Sequence, residues 1–271
     1  MDVIVNADDL GMSPEVNQET FDLMDQGLVT SATLIANSPY VEDACQRIPN
    51  YGHCSFGVHL DVTEFHPVGH NDKLQPLLNE NGEFDCDRVR QVGIDSTLAD
   101  GIFQEYCDQI EKLASLGVMP SHIDSHHHVH TIPRVFLILK KVQKRFGIRK
   151  VRLTRNIYAD GALKSKGMDP KALGLAPGST GRDAARTTRI KKSVYNLMLK
   201  QYYRTTTTDG FSGFQLFLEY AKVMKMKHRT FEAMVHPAND YYDPKEIELL
   251  RGPWREALDF PVRLISYHDL A

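Results

Sequence analysis

The chain has 271 residues, 42% of them hydrophobic and 25% charged, with a formal net charge of −3 at pH 7. That length can bury a full core, as one large α/β domain or two small ones. A balance this close to neutral excludes a general attraction to nucleic acid or to an anionic membrane, and no apolar run is long enough to span a bilayer.

The chain opens as Met1-Asp2-Val3-Ile4-Val5, a strand start without the basic and long apolar regions of a signal peptide. Val3 to Asn6 is apolar and β-branched and runs into Asn6-Ala7-Asp8-Asp9-Leu10-Gly11. Parallel α/β proteins present catalytic groups at the C-terminal ends of buried strands. Adjacent carboxylates repel unless a cation or a shared proton relieves them. On a regular strand Asp8 and Asp9 point in opposite directions, so one can face a metal and the other a water. The bland alternative is a pair of turn acids before the next helix, which Ser13-Pro14-Glu15 announces.

Helix is expected over Pro14–Gln26, strand over Leu28–Asn37, helix over Tyr40–Arg47 and strand over Ser55–Asp61, with His59 near its end. A lone histidine there is more often a satisfied core residue than a ligand; only its recurrence at a strand end, alongside the acids, changes that. Thr63 to Asp85 reads as a long Pro/Gly/Asn-rich loop, the kind that forms lids and substrate walls. Leu98–Gly117 has helical spacing.

Ser121 to His130 then reads Ser-His-Ile-Asp-Ser-His-His-His-Val-His, which holds five of the chain's 12 histidines. Extended, it places His122, Asp124, His126, His128 and His130 on one face. Four imidazoles and a carboxylate on one face make sense around a cation. The competing reading is a metal-scavenging histidine tract.

Downstream, the pattern predicts helix over Pro133–Phe146 and strand over Arg149–Leu153, which delivers Arg152 and Arg155 near its end. Tyr158–Thr188 reads as a polar loop, either a solvated surface or a face for an anionic or polyhydroxylated ligand. Helix Lys192–Tyr203, strand Thr205–Thr208, helix Phe214–Met224, strand Thr230–His236, helix Glu246–Leu258 and strand Val262–Tyr267 complete the pattern. Strand–helix alternation with seven or eight units indicates a mostly parallel α/β barrel, and no composition break demands a second domain, so residues 1–271 read as one domain. No nucleotide-binding glycine loop and no Gly-x-Ser-x-Gly elbow occurs. Cys45, Cys54, Cys86 and Cys107 are scattered, which argues against a disulfide framework or a thiolate zinc site and fits a reducing cytoplasm.

The groups at predicted strand ends are Asp8, Asp9, His59, Asp124, His126, His128 and His236. A carboxylate with two imidazoles is a catalytic metal set that leaves room for water and substrate. It suits metal-assisted hydrolysis of an amide or ester; phosphoester hydrolysis is the rival, though more acids would be expected for it.

Four ordered segments, Asn6-Ala7-Asp8-Asp9-Leu10-Gly11, Gly57-Val58-His59-Leu60, His122 to His130 and His236-Pro237, resemble the motifs of the YdjC/ChbG-type carbohydrate deacetylases. Val29-Thr30-Ser31-Ala32-Thr33 resembles that family too. The resemblance implies a distorted TIM-like barrel related in layout to polysaccharide deacetylases. It also implies removal of acetyl groups from N-acetylated sugars, of chitooligosaccharide or diacetylchitobiose type, with a divalent metal. Magnesium is the ion usual for that family, while the histidine-rich shell makes zinc the physical alternative. Carried over by position, Asp9, His59 and His126 resemble the metal ligands, Asp8 the general base and His236 the acid. Asp124, His128 and His130 then take supporting or substrate-contacting places. Such enzymes are often oligomeric, which allows a homodimer, though no segment marks an interface. A non-catalytic sugar- or metal-binding protein on the same fold is a further alternative.

Overall fold

The computed structural model describes residues 1–157, 186–242 and 244–271. Among them run strands β1 (Asp2–Leu10), β2 (Ser31–Leu34), β3 (Ser55–Leu60), β4 (Ile123–Ser125), β5 (Gly210–Gly213), β6 (Thr230–Val235) and β7 (Arg263–Leu264). The helices are α1 (Pro14–Asp25), α2 (Val41–Arg47), α3 (Arg88–Gln91), α4 (Ser96–Ser115), α5 (Pro133–Phe146), α6 (Arg186–Leu197), α7 (Phe214–Val223) and α8 (Lys245–Arg251).

All strand pairs are parallel, in the order β4-β3-β2-β1-β6-β5, and β7 pairs with the start of β1. The sheet curls into a distorted (β/α) barrel. Its two edges approach each other through isolated bridges, Ile123 to Val151 and Lys150 to Thr206, rather than through a full ladder. Because every strand runs the same way, the ends of β1, β3, β4 and β6 open at one mouth.

Period-two alternation sorts the strand side chains. Val3, Val5 and Ala7 of β1 pack in the main apolar core, with Phe56, Val58 and Leu60 of β3 and Phe231, Ala233 and Val235 of β6. The opposite parity lines the barrel interior: Ile4, Asn6 and Asp8; Ser31 and Thr33; His59; His122 and Asp124; Glu232. That interior is polar yet buried, so its stability depends on complete pairing. Its floor is apolar, where Ile4, Ile265, Tyr267 and Leu270 cluster.

Several expected boundaries move. β1 extends through Leu10, so both acids lie on the strand. β2 is confined to Ser31–Leu34. The loop after β3 carries a 3-10 turn at Asp72–Leu77. The expected strands at Arg149–Leu153 and Thr205–Thr208 make only the single bridges named above, because the barrel seam is irregular there. The last strand on that side is instead Gly210–Gly213, whose Phe211 pairs with Glu232. The helix expected to Leu258 stops at Arg251, ahead of Gly252-Pro253. The strand expected to Tyr267 stops at Leu264, and Tyr267 opens a 3-10 turn. Among the described residues helix α6 runs over Arg186–Leu197, so it already includes six residues ahead of the expected start. The loop expected over Tyr158–Thr188 lies outside the described residues as far as 185. No helix among the described residues is long and apolar enough to cross a membrane.

Candidate active site

A cavity of about 350 Å³ opens at the barrel mouth and is lined by Asp8, Asp9, His59, His126, His128 and His236 among others. The two acids reach it by breaking the strand rule. The register of β1 against β2 shifts between Ala7 and Leu10, and Asp9 adopts φ 67. This bulge turns Asp9 to the same side as Asp8, against the expectation that the pair would diverge.

The histidine stretch corrects a second expectation. Alternation holds for its first three members. His122 lies at the floor, stacked 3.7 Å from Tyr267; Asp124 sits midway; His126 stands at the mouth. The extended strand ends at Ser125, and His127 and His128 take left-handed φ of 48 and 54. Two such residues turn the chain, so His128 and His130 leave the common face. His128 lies edge-on to Phe211 at the cavity wall. His130 Nδ1 instead pairs with Ser125 Oγ at 2.5 Å. Neither is hydrogen-bonded to His59 or His126 among the described residues.

Asp9, His59 and His126 converge. His126 Nδ1 is 2.9 Å and His59 Nε2 is 3.3 Å from Asp9 Oδ1. Despite this proximity, Asp9 Oδ1 is a buried atom without an aligned hydrogen bond. Two nitrogens and one oxygen gathered within 4.8 Å of one another fit a cation. The donor chemistry, two imidazoles and one carboxylate, suits zinc or another borderline transition ion. Burial opposes charge on His59, but Asp124, Asp9 and Asp8 outweigh it and raise its pKa to about 9. That negative field favours either a proton or a cation on these rings.

Beneath the three lies an arginine that the sequence placed at a strand end without a role. Arg152, wholly buried, donates Nη1 and Nη2 to the two oxygens of Asp8 at 2.7 and 2.6 Å. Its Nη1 also lies 2.7 Å from Asp124 Oδ2, and its Nε donates to Glu232 Oε1 at 2.7 Å. Asp124 in turn holds His59 Nδ1 at 2.6 Å and accepts from Thr33 Oγ1 at 3.0 Å. Asn6 Nδ2 donates to Asp8 Oδ1 at 2.9 Å. Burial opposes the Asp8 charge, yet Arg152 and His59 more than offset it and hold the carboxyl below its usual range. The signal for Arg152 was a guanidinium inside the short apolar run Val151-Arg152-Leu153, which requires buried anions.

His236, just beyond β6, stacks on Tyr242 at 3.5 Å. Its backbone N–H donates to Glu246 Oε2 at 3.0 Å, and Nδ1 lies 3.4 Å from that oxygen. Burial favours the neutral ring, but Glu246, Asp8 and Asp9 together raise its pKa. Glu64, Asn239, Tyr242 and Glu246 were not singled out as site residues in the sequence; the first three come from loops, and Glu246 was read only as the start of a helix.

Comparison with known proteins finds relatives over most of the chain. A carbohydrate deacetylase of Geobacillus stearothermophilus is 37% identical over 177 residues, covering 60% of this chain and 70% of that protein. A chitooligosaccharide deacetylase of Proteus mirabilis is 32% identical over 178 residues, 64% of this chain and 69% of the other. A carbohydrate deacetylase of Clostridium beijerinckii is 34% identical over 149 residues, 55% of this chain but only 58% of that relative's length. In three dimensions, a candidate cellobiose-phosphate cleavage protein of Enterococcus faecalis V583 has a TM-score of 0.73 at 22% identity, over 100% of this chain and 98% of the other, which shows a shared fold. The sequence model of the YdjC-like proteins matches residues 2–259, and the chain therefore belongs to the YdjC-like family.

Proposed function

We propose that the chain is a metal-dependent carbohydrate N-deacetylase, which hydrolyses the acetamide of an N-acetylated sugar of chitooligosaccharide or diacetylchitobiose type to acetate and an amino sugar. The observation that carries this reading is the convergence of Asp8, Asp9, His59, His126 and His236 on one cavity of about 350 Å³. Relatives named carbohydrate and chitooligosaccharide deacetylases support it.

Asp9, His59 and His126 would hold a divalent cation. When bound, such an ion polarises an amide carbonyl and acidifies water. The donor set favours zinc; magnesium, implied by the family resemblance, would need waters to complete an octahedral shell. Asp8 is the general base. Arg152 keeps it ionised and fixes its plane, so it accepts the proton of the attacking water. The water oxygen adds to the carbonyl carbon, and the C–N bond then breaks, its electron pair leaving with the nitrogen. His236, which lines the same cavity, gives its proton to the departing nitrogen, and Glu246 sustains that protonated form. Asp124 orients His59 from behind. The enzyme acts in the cytoplasm in this reading, as one domain and with a homodimer allowed.

The test is acetate release from N-acetylglucosamine oligomers, diacetylchitobiose and its phosphate, by metal-stripped protein with magnesium or zinc added back. Metal-dependent release that His126→Ala lacks is the expected result. Hydrolysis of phosphomonoesters with no acetate from any sugar would move the assignment to a phosphoesterase.

A further inference from the structure

Each of the three candidate ligands is held from behind by a different element. Asp124 of β4 holds His59. From the loop after β3, Glu64 Oε1 stands 3.5 Å from His126 Nε2. From the loop after β6, Asn239 Nδ2 donates to Asp9 Oδ2 at 2.8 Å. We propose that Asn239 and Glu64 are positioning residues that set the form in which this site meets a cation. Asn239 makes Asp9 a one-oxygen ligand, and Glu64 holds His126 in the tautomer that offers Nδ1. The inference rests on the metal reading of the site.

The Asn239 amide has one workable orientation. It is 7% exposed, and its Oδ1 accepts from Tyr241 N at 3.0 Å, which closes the turn after His236-Pro237. A flipped amide would set oxygen against Asp9 Oδ2 and NH₂ against the Tyr241 N–H, losing both bonds. The NH₂ group therefore faces Asp9 and takes one acceptor position on Oδ2. Oδ1 is the oxygen that faces the two imidazoles. A carboxylate bound through one oxygen keeps the coordination number low, as zinc prefers; a two-oxygen grip suits larger hard ions such as calcium.

Lone pairs decide the tautomer of His126. A neutral imidazole has one hydrogen and one lone pair. Nδ1 faces Asp9 Oδ1, so the hydrogen belongs on Nε2, which is buried, makes no hydrogen bond and has Glu64 Oε1 3.5 Å away. The carboxylate in its path is Glu64, whose own backbone N–H is tied to Asp61 Oδ2 at 3.2 Å. The arrangement also decides between two uses of one ring. Glu64, His126 and His127 converge as a second donor set, but a neutral His126 cannot lend its single lone pair to both. The Asp9 side is the more deeply buried.

Calorimetric titration of zinc and of magnesium into the metal-stripped full chain tests this without reference to deacetylation. The variants are Asn239→Ala, Asn239→Ser, Glu64→Ala and Glu64→Gln. Serine at 239 still has an oxygen for the Tyr241 turn but is too short to reach Asp9, and glutamine at 64 still offers an acceptor to Nε2–H. Zinc affinity should fall about 10- to 100-fold in Asn239→Ser and Glu64→Ala and hold in Glu64→Gln. Melting of the metal-free Asn239→Ser and Glu64→Ala proteins should stay within about 2 °C of wild type. Unchanged zinc affinity in both variants overturns the inference and leaves the metal site standing. Loss in Asn239→Ala alone, with a lowered melting temperature, marks a turn residue and also overturns it. Failure of the wild type to bind either ion overturns the inference and the metal reading together.

Discussion

Arg152 grips Asp8 with two parallel hydrogen bonds, Nη2 to Oδ1 at 2.6 Å and Nη1 to Oδ2 at 2.7 Å. The pair spans the barrel from the irregular seam to the central strand. The same guanidinium reaches Asp124 on β4 and Glu232 on β6. One cation thus ties together three strands and the seam, and it does so where the ladder is weakest. Phe211 covers it, with the guanidinium carbon 4.9 Å from the ring centroid.

Arg152→Met would leave three buried carboxylates facing one another without a counter-charge. Removal of one partner of a buried ion pair costs about 3–5 kcal/mol, and this residue has three partners, so the variant should lose at least that much. Urea unfolding measures it; a loss below about 1 kcal/mol, the range of an exposed pair, would refute the staple. Arg152→Lys keeps charge but not the fork, so it should fold better than Arg152→Met while losing most of the activity.

Asp8→Asn separates the base from the ligands. Asparagine cannot accept the water's proton, yet Asp9, His59 and His126 are untouched. Hydrolysis should fall about 10²- to 10⁴-fold, the usual share of a general base. Zinc affinity should change far less than in Asp9→Asn. An unchanged hydrolytic rate in Asp8→Asn would remove Asp8 from its role.

The sequence pointed to residues of the candidate cavity wherever chemistry coincided with a period. Asp8, His59, Asp124, His126 and His236 fall on inward-facing parity at or next to strand ends, and that much follows from pattern alone. Pattern failed where the backbone departed from it. The bulge at Asp9 and the two left-handed histidines depend on local φ values that no side-chain alternation encodes. Gly57 had only motif status. A Cβ there would lie 2.6 Å from the His122 ring, which Tyr267 holds on its other face. Asn239 and Glu64 lie in loops, where position comes from tertiary contacts rather than from period.

Stability should depend on pH through Glu105 of α4. Its carboxylate accepts from Val68 N at 3.1 and 3.2 Å and from Gln109 Nε2 at 2.8 Å, pinning the loop that carries Glu64. Burial pushes its pKa from 4.5 up to about 7. The folded protein then holds this proton more tightly than the unfolded chain, so stability falls as pH rises from about 4.5 to about 7. The loss is about 3 kcal/mol for a shift of that size. Glu105→Gln keeps an acceptor for Val68 and should shrink the difference in unfolding free energy between pH 5 and pH 8. Glu232, also pushed up to about 7 by burial, adds slope of the same sign, and His59, raised to about 9, adds more above pH 6.5. An identical difference in wild type and variant would refute the role of Glu105.

The pH profile of hydrolysis should report on Glu246. As the acid, His236 must be protonated in the free enzyme, so its pKa sets the alkaline limb of kcat/KM. Burial alone would lower that pKa; the Glu246 carboxylate, 3.4 Å from Nδ1, raises it, helped by Asp8 and Asp9. Glu246→Gln keeps an oxygen for the His236 backbone N–H at its present 3.0 Å and removes the charge. The alkaline limb should therefore move to lower pH, with the acid limb nearly in place and zinc affinity unchanged. If the alkaline limb stays put while overall rate drops, Glu246 only shapes the loop and the proton comes from another group. If the limb moves as expected, then Tyr242, stacked flat on the same ring, is the next residue to change, because it walls His236 off from solvent.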